Sequence, residues 1–228
     1  MHKRIIIPMV FGFIGAVVLI SLGVWQVQRL TWKQGVLAEI ESRMGAAPVA
    51  IPETPDPERD KYLSVRVRGD VLDRHLRVLV SPKDRGAGYR IVSAMETAAG
   101  LIMVDRGFVR VSVDAPPTAP ASVEITGNLH WPDEVDGFTP EPDVAAGIWF
   151  ARDVPRMAAS LGTRPVLVIA AETSETDPYA TPLGLDTADI PNDHLGYAII
   201  WFSLAFIWVI MTGTFLWRQV RPSRGAKT

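Results

Sequence analysis

The 228-residue chain contains no cysteine, which excludes a disulfide frame, thiolate metal sites and covalent attachment of a c-type haem. Histidine is scarce. His2, His75, His130 and His194 form no HExxH or other paired metal spacing, and no GxSxG offers a nucleophile elbow. A hydrolase is therefore disfavoured, and only non-covalent binding chemistry is left open. A basic surplus is also lacking: 23 Lys and Arg stand against 25 Asp and Glu, a net charge of −2, so no nucleic-acid partner is expected. No internal repeat is present.

What the chain does have is apolar residues in two dense blocks. Ile5 to Gln26 is 22 residues without an ionisable group, and Leu195 to Trp217 is 23 residues without a charge. At about 1.5 Å per residue these make helices of roughly 33 and 34 Å, each enough to cross a hydrocarbon core. Pro8 falls in the first turns of the first helix, where its missing N–H costs little. The rival reading of the first block is a cleaved signal peptide, with Ser21-Leu22-Gly23 resembling a cleavage site, but the run exceeds the usual apolar core of roughly 7–15 residues.

Two spans put both tails on one side of the membrane. Those tails carry Lys3, Arg4, Arg218, Arg221, Arg224 and Lys227 and no acid, which predicts cytoplasmic termini. Removing those six from the 23 basic residues leaves 17 against 25 acids, so the exported part carries a net −8. The expected organisation is a tail over 1–4, a first span over 5–26, an amphipathic helix and Pro-rich linker over 27–61, a β-rich domain over 62–171, a connecting loop over 172–194, a second span over 195–217 and a basic tail over 218–228.

Within the linker, Pro48, Pro52, Pro55 and Pro57 predict extended chain. From Tyr62 onward short alternating runs predict strands over 63–68, 76–80, 89–95, 101–104 with 108–111, 123–129 and 166–170, with a first break at Gly69-Asp70. One helix is expected over 154–161, capped by Asp153 and ended by Gly162. The fold class is α+β: two transmembrane helices flanking a β-rich, barrel-like extracytoplasmic domain.

Two constellations carry chemistry, one at the outer end of each span. Trp25, Arg29 and Trp32 lie at i, i+4 and i+7 on one helical face, with Lys33 one turn beyond Arg29. Arg29 and Lys33 suit a carboxylate-bearing ligand; the commoner use of such residues is an aromatic and basic belt against lipid head groups. His194, Tyr197 and Trp201 lie at i, i+3 and i+7, with Gly196 and Ala198 leaving room for a flat ligand or another helix. His194 suits axial ligation of iron if the other ring nitrogen has an acceptor, and a solvated interfacial histidine is the plainer alternative. Asn192 or Asp193 reads as the helix cap, and Asp105-Arg106-Gly107-Phe108 as a structural corner. Met211 reads as packing sulfur.

Taken in order, four blocks resemble the Surfeit locus protein 1 family: Gly23-Val24-Trp25-Gln26 with Arg29, Trp32 and Lys33; Gly88-Tyr89-Arg90-Ile91; Val104-Asp105-Arg106-Gly107-Phe108-Val109; and Asn192-Asp193-His194-Leu195 with Tyr197-Ala198 and Trp201-Phe202. The chain departs from the family's usual pattern at Ile200, where threonine is common, at Phe108, where tryptophan is commoner, and at Asn128-Leu129-His130. The resemblance implies a non-enzymatic cytochrome c oxidase assembly factor that binds haem a and assists its insertion into subunit I. It further implies His194 as the iron ligand, with Tyr197, Trp201, Trp25, Gln26, Arg29 and Lys33 as the surrounding cofactor residues, Arg29 or Lys33 meeting propionates. The implied partners are oxidase subunit I, haem a synthase and membrane lipid. His75 and His130 are the other histidines open to a second-ligand role. With no transit-type segment before Met1-His2-Lys3-Arg4, the expected location is a bacterial plasma membrane with the central domain in the periplasm. A cofactor-free scaffold for oxidase intermediates is the alternative, and an enzyme acting on haem is a weaker third for want of an acid–base pair or nucleophile.

Overall fold

The structure is a computed structural model that describes residues 2–113, 118–187 and 190–220, with side chains from Ile5 onward. Two compact units emerge, Met1–Glu39 with Ala188–Thr228, and Ile40–Thr187.

The first unit holds two long apolar helices. Helix α1 spans His2–Met44, so it runs without interruption from the expected tail through the expected span into the amphipathic stretch. The helix of residues His194–Val220, here α3, starts at the first residue of the apolar block's flank and ends three residues past it. Both are long and apolar enough to cross a membrane, and only 6% of each apolar window is buried. A soluble core helix would be mostly covered. The chain is thus a membrane protein with two candidate spans. The side chains of Lys3 and Arg4, and all of Arg221, Arg224 and Lys227, lie outside the described residues.

The spans pair through small residues. A Cβ on Gly12 would sit 2.2 Å from Thr212, one on Gly15 2.5 Å from the Trp208 indole and one on Gly23 2.7 Å from Phe202, so side chains on α3 fill the space these glycines leave. Rising numbers on α1 meet falling numbers on α3, which makes the pair antiparallel. Lipid tails give no hydrophobic reason for helices to associate, so close packing and hydrogen bonds must do it. Trp208 Nε1 donates to the Gly12 carbonyl at 2.8 Å.

The second unit is a barrel. Strands β1 (Ser64–Val80), β2 (Gly88–Thr97), β3 (Gly100–Arg110), β4 (Val123–Leu129), the two-residue β5 (Ile148–Trp149) and β6 (Leu167–Thr173) form one sheet. Its order, β2-β3-β6-β4-β1-β5 with an added β2–β1 pairing, closes five strands into a barrel and leaves β5 outside, parallel to β1. Strand β6 enters parallel to β3 and antiparallel to β4.

The expected break at Gly69-Asp70 is corrected: β1 continues through it. Gly69 is needed because the Glu96 carbonyl comes within 1.9 Å of where a Cβ would be, and the irregularity falls later, between Val71 and His75. This one bent strand pairs first with β4 and then with β2, which is how a short sheet closes on itself. Likewise 101–104 and 108–111 belong to a single strand, and β5 was not foreseen, being too short to show a period.

Strands β3 and β6 are covered on both faces. Ile102, Val104, Val168 and Ala170 point into the barrel with Val65, Met95 and Leu129, whereas Met103, Leu167 and Ile169 meet Leu76, Trp149, Met157 and Leu161 outside it. The second set packs helix α2, Val154–Leu161, onto the barrel wall. Each such side chain contributes about 1.5–3 kcal/mol by leaving water. Helix α2 is bounded as its sequence dictates: the Asp153 carboxylate accepts from Arg156 N at 3.2 Å, and Gly162 takes the left-handed conformation at φ 65°.

The Pro-rich linker and the connecting loop are both tied to the barrel. Val49 bridges to Val65, Ile51 enters the interior core, and Thr181 bridges to Phe108. Ala180 packs with Ile91 and Val109.

Candidate functional site

The C-terminal end of the first span and the N-terminal end of the second meet at Gln26 and His194. Gln26 sits one turn after Gly23 on the face of α1 turned to α3 and is only 8% exposed. On α3 the covered positions are Ala198 and Ala205, and His194 lies one turn before Ala198. The consequence is a direct contact: His194 Nδ1 lies 2.9 Å from Gln26 Oε1. An amide oxygen only accepts, so the proton belongs to Nδ1. The other ring nitrogen, Nε2, is then a lone pair, and among the described residues it takes no hydrogen bond.

The remaining predicted residues divide into two groups around this contact. Trp201, half-buried, lies two turns after His194 near the pairing stripe, while Tyr197 is turned out and exposed. Trp25 is exposed, next to Gln26 in sequence but on another face. Arg29 stacks on Trp32, its guanidinium carbon 3.8 Å from the ring centroid, which places a fixed cation one turn beyond Gln26. Lys33 is half-buried. Asp193 holds the cap position through its backbone, accepting from Tyr197 N at 3.2 Å, so it is not the partner of the imidazole. Around the Gln26–His194 contact stand one imidazole nitrogen and the half-buried Trp201, with the Arg29 guanidinium one turn along α1 and the rings of Trp25 and Tyr197 exposed nearby. Such a set can coordinate a metal centre of a flat, carboxylate-bearing ligand.

Inside the barrel domain the Asp105-Arg106 pair separates, since neighbours on a strand face opposite sides. Asp105, fully buried, accepts from Arg90 Nε at 2.5 Å and from Gly107 N at 3.0 Å, with Arg152 Nη1 at 3.6 Å. Arg152 also grips Glu134 through Nε and Nη2. Burial alone would raise the Glu134 carboxyl, but the bonds and charge of Arg152 outweigh it and hold it below the usual range. Arg106, 3% exposed, pairs with Glu175 at 2.9 Å and donates to the Thr118 carbonyl. Each arginine has its acid, as a structural network requires. Gly107 turns the chain at φ 113°, where the Thr181 carbonyl would stand 1.9 Å from a Cβ.

His130 stacks on Tyr62 with centroids 5.3 Å apart. Burial first, then the charges of Arg152 and Lys61, push its ring down to about 4, so it stays neutral. His75 is also lowered, chiefly by burial. Both belong to the barrel unit, and among the described residues no group of three or more His, Asp or Glu is placed to hold a metal ion.

Reading the sequence missed the role of Gln26. A carboxamide at the end of an apolar helix needs a partner if it is buried, but Gln28, two residues on, carries the same signal, so the sequence alone does not single out Gln26.

Comparison with known proteins bears on the whole of this arrangement. A family model described as the SURF1 family matches residues 13–206, from within α1 to within α3. The chain is 32% identical to the SURF1-like protein of Drosophila melanogaster, over 82% of this chain and 72% of that one. It is 31% identical to Surfeit locus protein 1 of Xenopus tropicalis, over 86% and 70%, and 30% identical to that of Rattus norvegicus, over 82% and 70%. With the barrel, the Gln26–His194 contact and the adjoining parts of both spans inside the matched region, the chain belongs to the SURF1 family.

Proposed function

We propose that this chain is a cytochrome c oxidase assembly factor of a bacterial plasma membrane, which binds haem a through His194 and assists its delivery to subunit I. The observation that carries the reading is the half-buried imidazole whose Nδ1 is held by Gln26 and whose Nε2 is left with a lone pair. That donor fits a haem: when bound, haem iron offers an axial position to a neutral imidazole nitrogen. Tyr197 and Trp201 would flank the macrocycle, Trp25 would add a ring from α1, and the guanidinium of Arg29, fixed on Trp32, would meet a propionate, with Lys33 as a second cation. The role is non-enzymatic, a holding of the cofactor rather than its chemical change.

The basic tails favour helix ends in the cytoplasm, which would put the acidic barrel domain in the periplasm. The exported domain would then meet the oxidase, with subunit I and haem a synthase as partners. The test is genetic and spectroscopic. Cells of the source type lacking this chain should lose most of the haem a absorbance assigned to the oxidase while retaining subunit I polypeptide. Wild type should restore it and His194→Ala should not. Full restoration by His194→Ala would leave the cofactor-free scaffold as the better reading, which the exposed Trp25 and Tyr197, suited to a lipid belt, also fit.

A further inference from the structure

We infer that Gln26 is the positioning residue of the site: its Oε1 accepts from His194 Nδ1–H, fixing the ring's tautomer and orientation so that Nε2 is the atom presented to iron. This rests on the proposed role of His194 as a ligand.

Three features of the helix pair support this role. The first is distance: 2.9 Å between Gln26 Oε1 and His194 Nδ1 is a full hydrogen bond. The second is cost. A carboxamide 8% exposed on the pairing face of a membrane helix loses its water, and among the described residues its one hydrogen bond is to His194. Removing that bond would leave a buried polar group unmet, so the glutamine and the imidazole hold each other. The third is rigidity of the support. Gly23, one turn earlier on α1, lets the Phe202 ring approach to 2.7 Å of its missing Cβ, and Trp208 bonds to the Gly12 carbonyl further along. Gln26 is therefore mounted on a helix pair locked at several levels, not on a loop.

The chemical effect follows from the choice of acceptor. A free imidazole divides its proton between two nitrogens, and a ring with the proton on Nε2 offers iron only the nitrogen nearest the backbone. With Nδ1–H committed to Gln26, the outer nitrogen is basic and aimed away from α1. Partners of this kind typically support metal affinity by about 10–100-fold. A neutral amide oxygen raises the ring's donor strength less than a carboxylate would. It thus serves a carrier that must release its cargo better than a permanent haem site.

The experiment begins with the protein free of haem, so that it does not depend on the proposed function. The full chain, labelled with nitrogen-15 at histidine and purified in detergent, is examined at a pH where the His194 ring is neutral, with His194→Ala used to assign its signals. The inference predicts an Nδ1–H tautomer in wild type and a shift to Nε2–H in Gln26→Leu. Haem a titration should then show affinity lowered about 10–100-fold in Gln26→Leu and recovered in Gln26→Glu, whose carboxylate restores an acceptor and moves the bound haem's midpoint potential downward. An Nε2–H tautomer in wild type overturns the inference, as does unchanged haem affinity in Gln26→Leu. If wild type shows the Nδ1–H tautomer yet binds no haem, the proposed function fails while the Gln26–His194 pairing stands.

Discussion

Replacing Asp105 by asparagine keeps the shape of the side chain and removes one charge from the interior of the barrel domain. The oxygen that accepts from Gly107 N can still do so, but Arg90 loses its acid at 2.5 Å and Arg152 loses one of its two. Arg90 is 12% exposed and Arg152 13%, so water cannot readily replace the carboxylate. Breaking a buried pair from one side costs about 3–5 kcal/mol. Arg152 keeps Glu134, which favours the lower end, about 3 kcal/mol, a large share of the roughly 5–15 kcal/mol a domain has. Removing both charges with Arg90→Met and Asp105→Asn should cost only about 1 kcal/mol, roughly 2 kcal/mol less than Asp105→Asn alone. Urea unfolding of the detergent-solubilised chain, followed by tryptophan fluorescence with Trp149 as the buried reporter, measures all three. A cost below about 1 kcal/mol for Asp105→Asn, or a double variant as unstable as the two singles summed, would show the cluster to be hydrated and refute the reasoning.

Acidification should weaken the barrel through His130. Its folded ring titrates at about 4 while the unfolded one titrates near 6.5, so stability is full above pH about 6.5 and declines as pH falls towards 4. Discounted for its partial exposure, the loss is about 2 kcal/mol, and His130→Leu should flatten that part of the curve, as read by unfolding at successive pH values. Gly107→Ala forces a Cβ against the Thr181 carbonyl at φ 113° and should cost at least about 1–3 kcal/mol in the same assay. Because the chain has no cysteine, a Gly12→Cys and Thr212→Cys pair can be cross-linked in membranes without background. It should form a bond efficiently, and adding Gly15→Val, which meets the Trp208 indole at 2.5 Å, should reduce the yield several-fold, an absence of effect counting against close pairing of the spans.

The spans were legible because a hydrocarbon core demands an uncharged run of known length, and α2 because Asp153 and Gly162 mark its ends chemically. Alternation revealed the barrel strands over 123–129 and 89–95 almost to the residue. It failed at Gly69-Asp70, since glycine signals a turn and a close strand approach alike, and only the position of the Glu96 carbonyl decides. Closure of the barrel depends on β1 pairing with both β2 and β4, a property of two distant partners rather than of any local pattern. At the site, helical spacing placed His194, Tyr197 and Trp201 on one side of α3, and the structure leaves Tyr197 exposed there. Which residue of α1 would meet the imidazole was invisible, because that depends on the axial offset of two helices separated by the whole barrel in sequence.

The central claim, that His194 holds a haem, is tested most directly on the purified chain. Wild type and His194→Ala are isolated in detergent from haem a-producing cells at matched protein amounts, and visible spectra are compared with extracted haem. The account predicts haem a in wild type and its loss in the variant. Wild type without haem a under adequate supply, or equal binding by both, would contradict it.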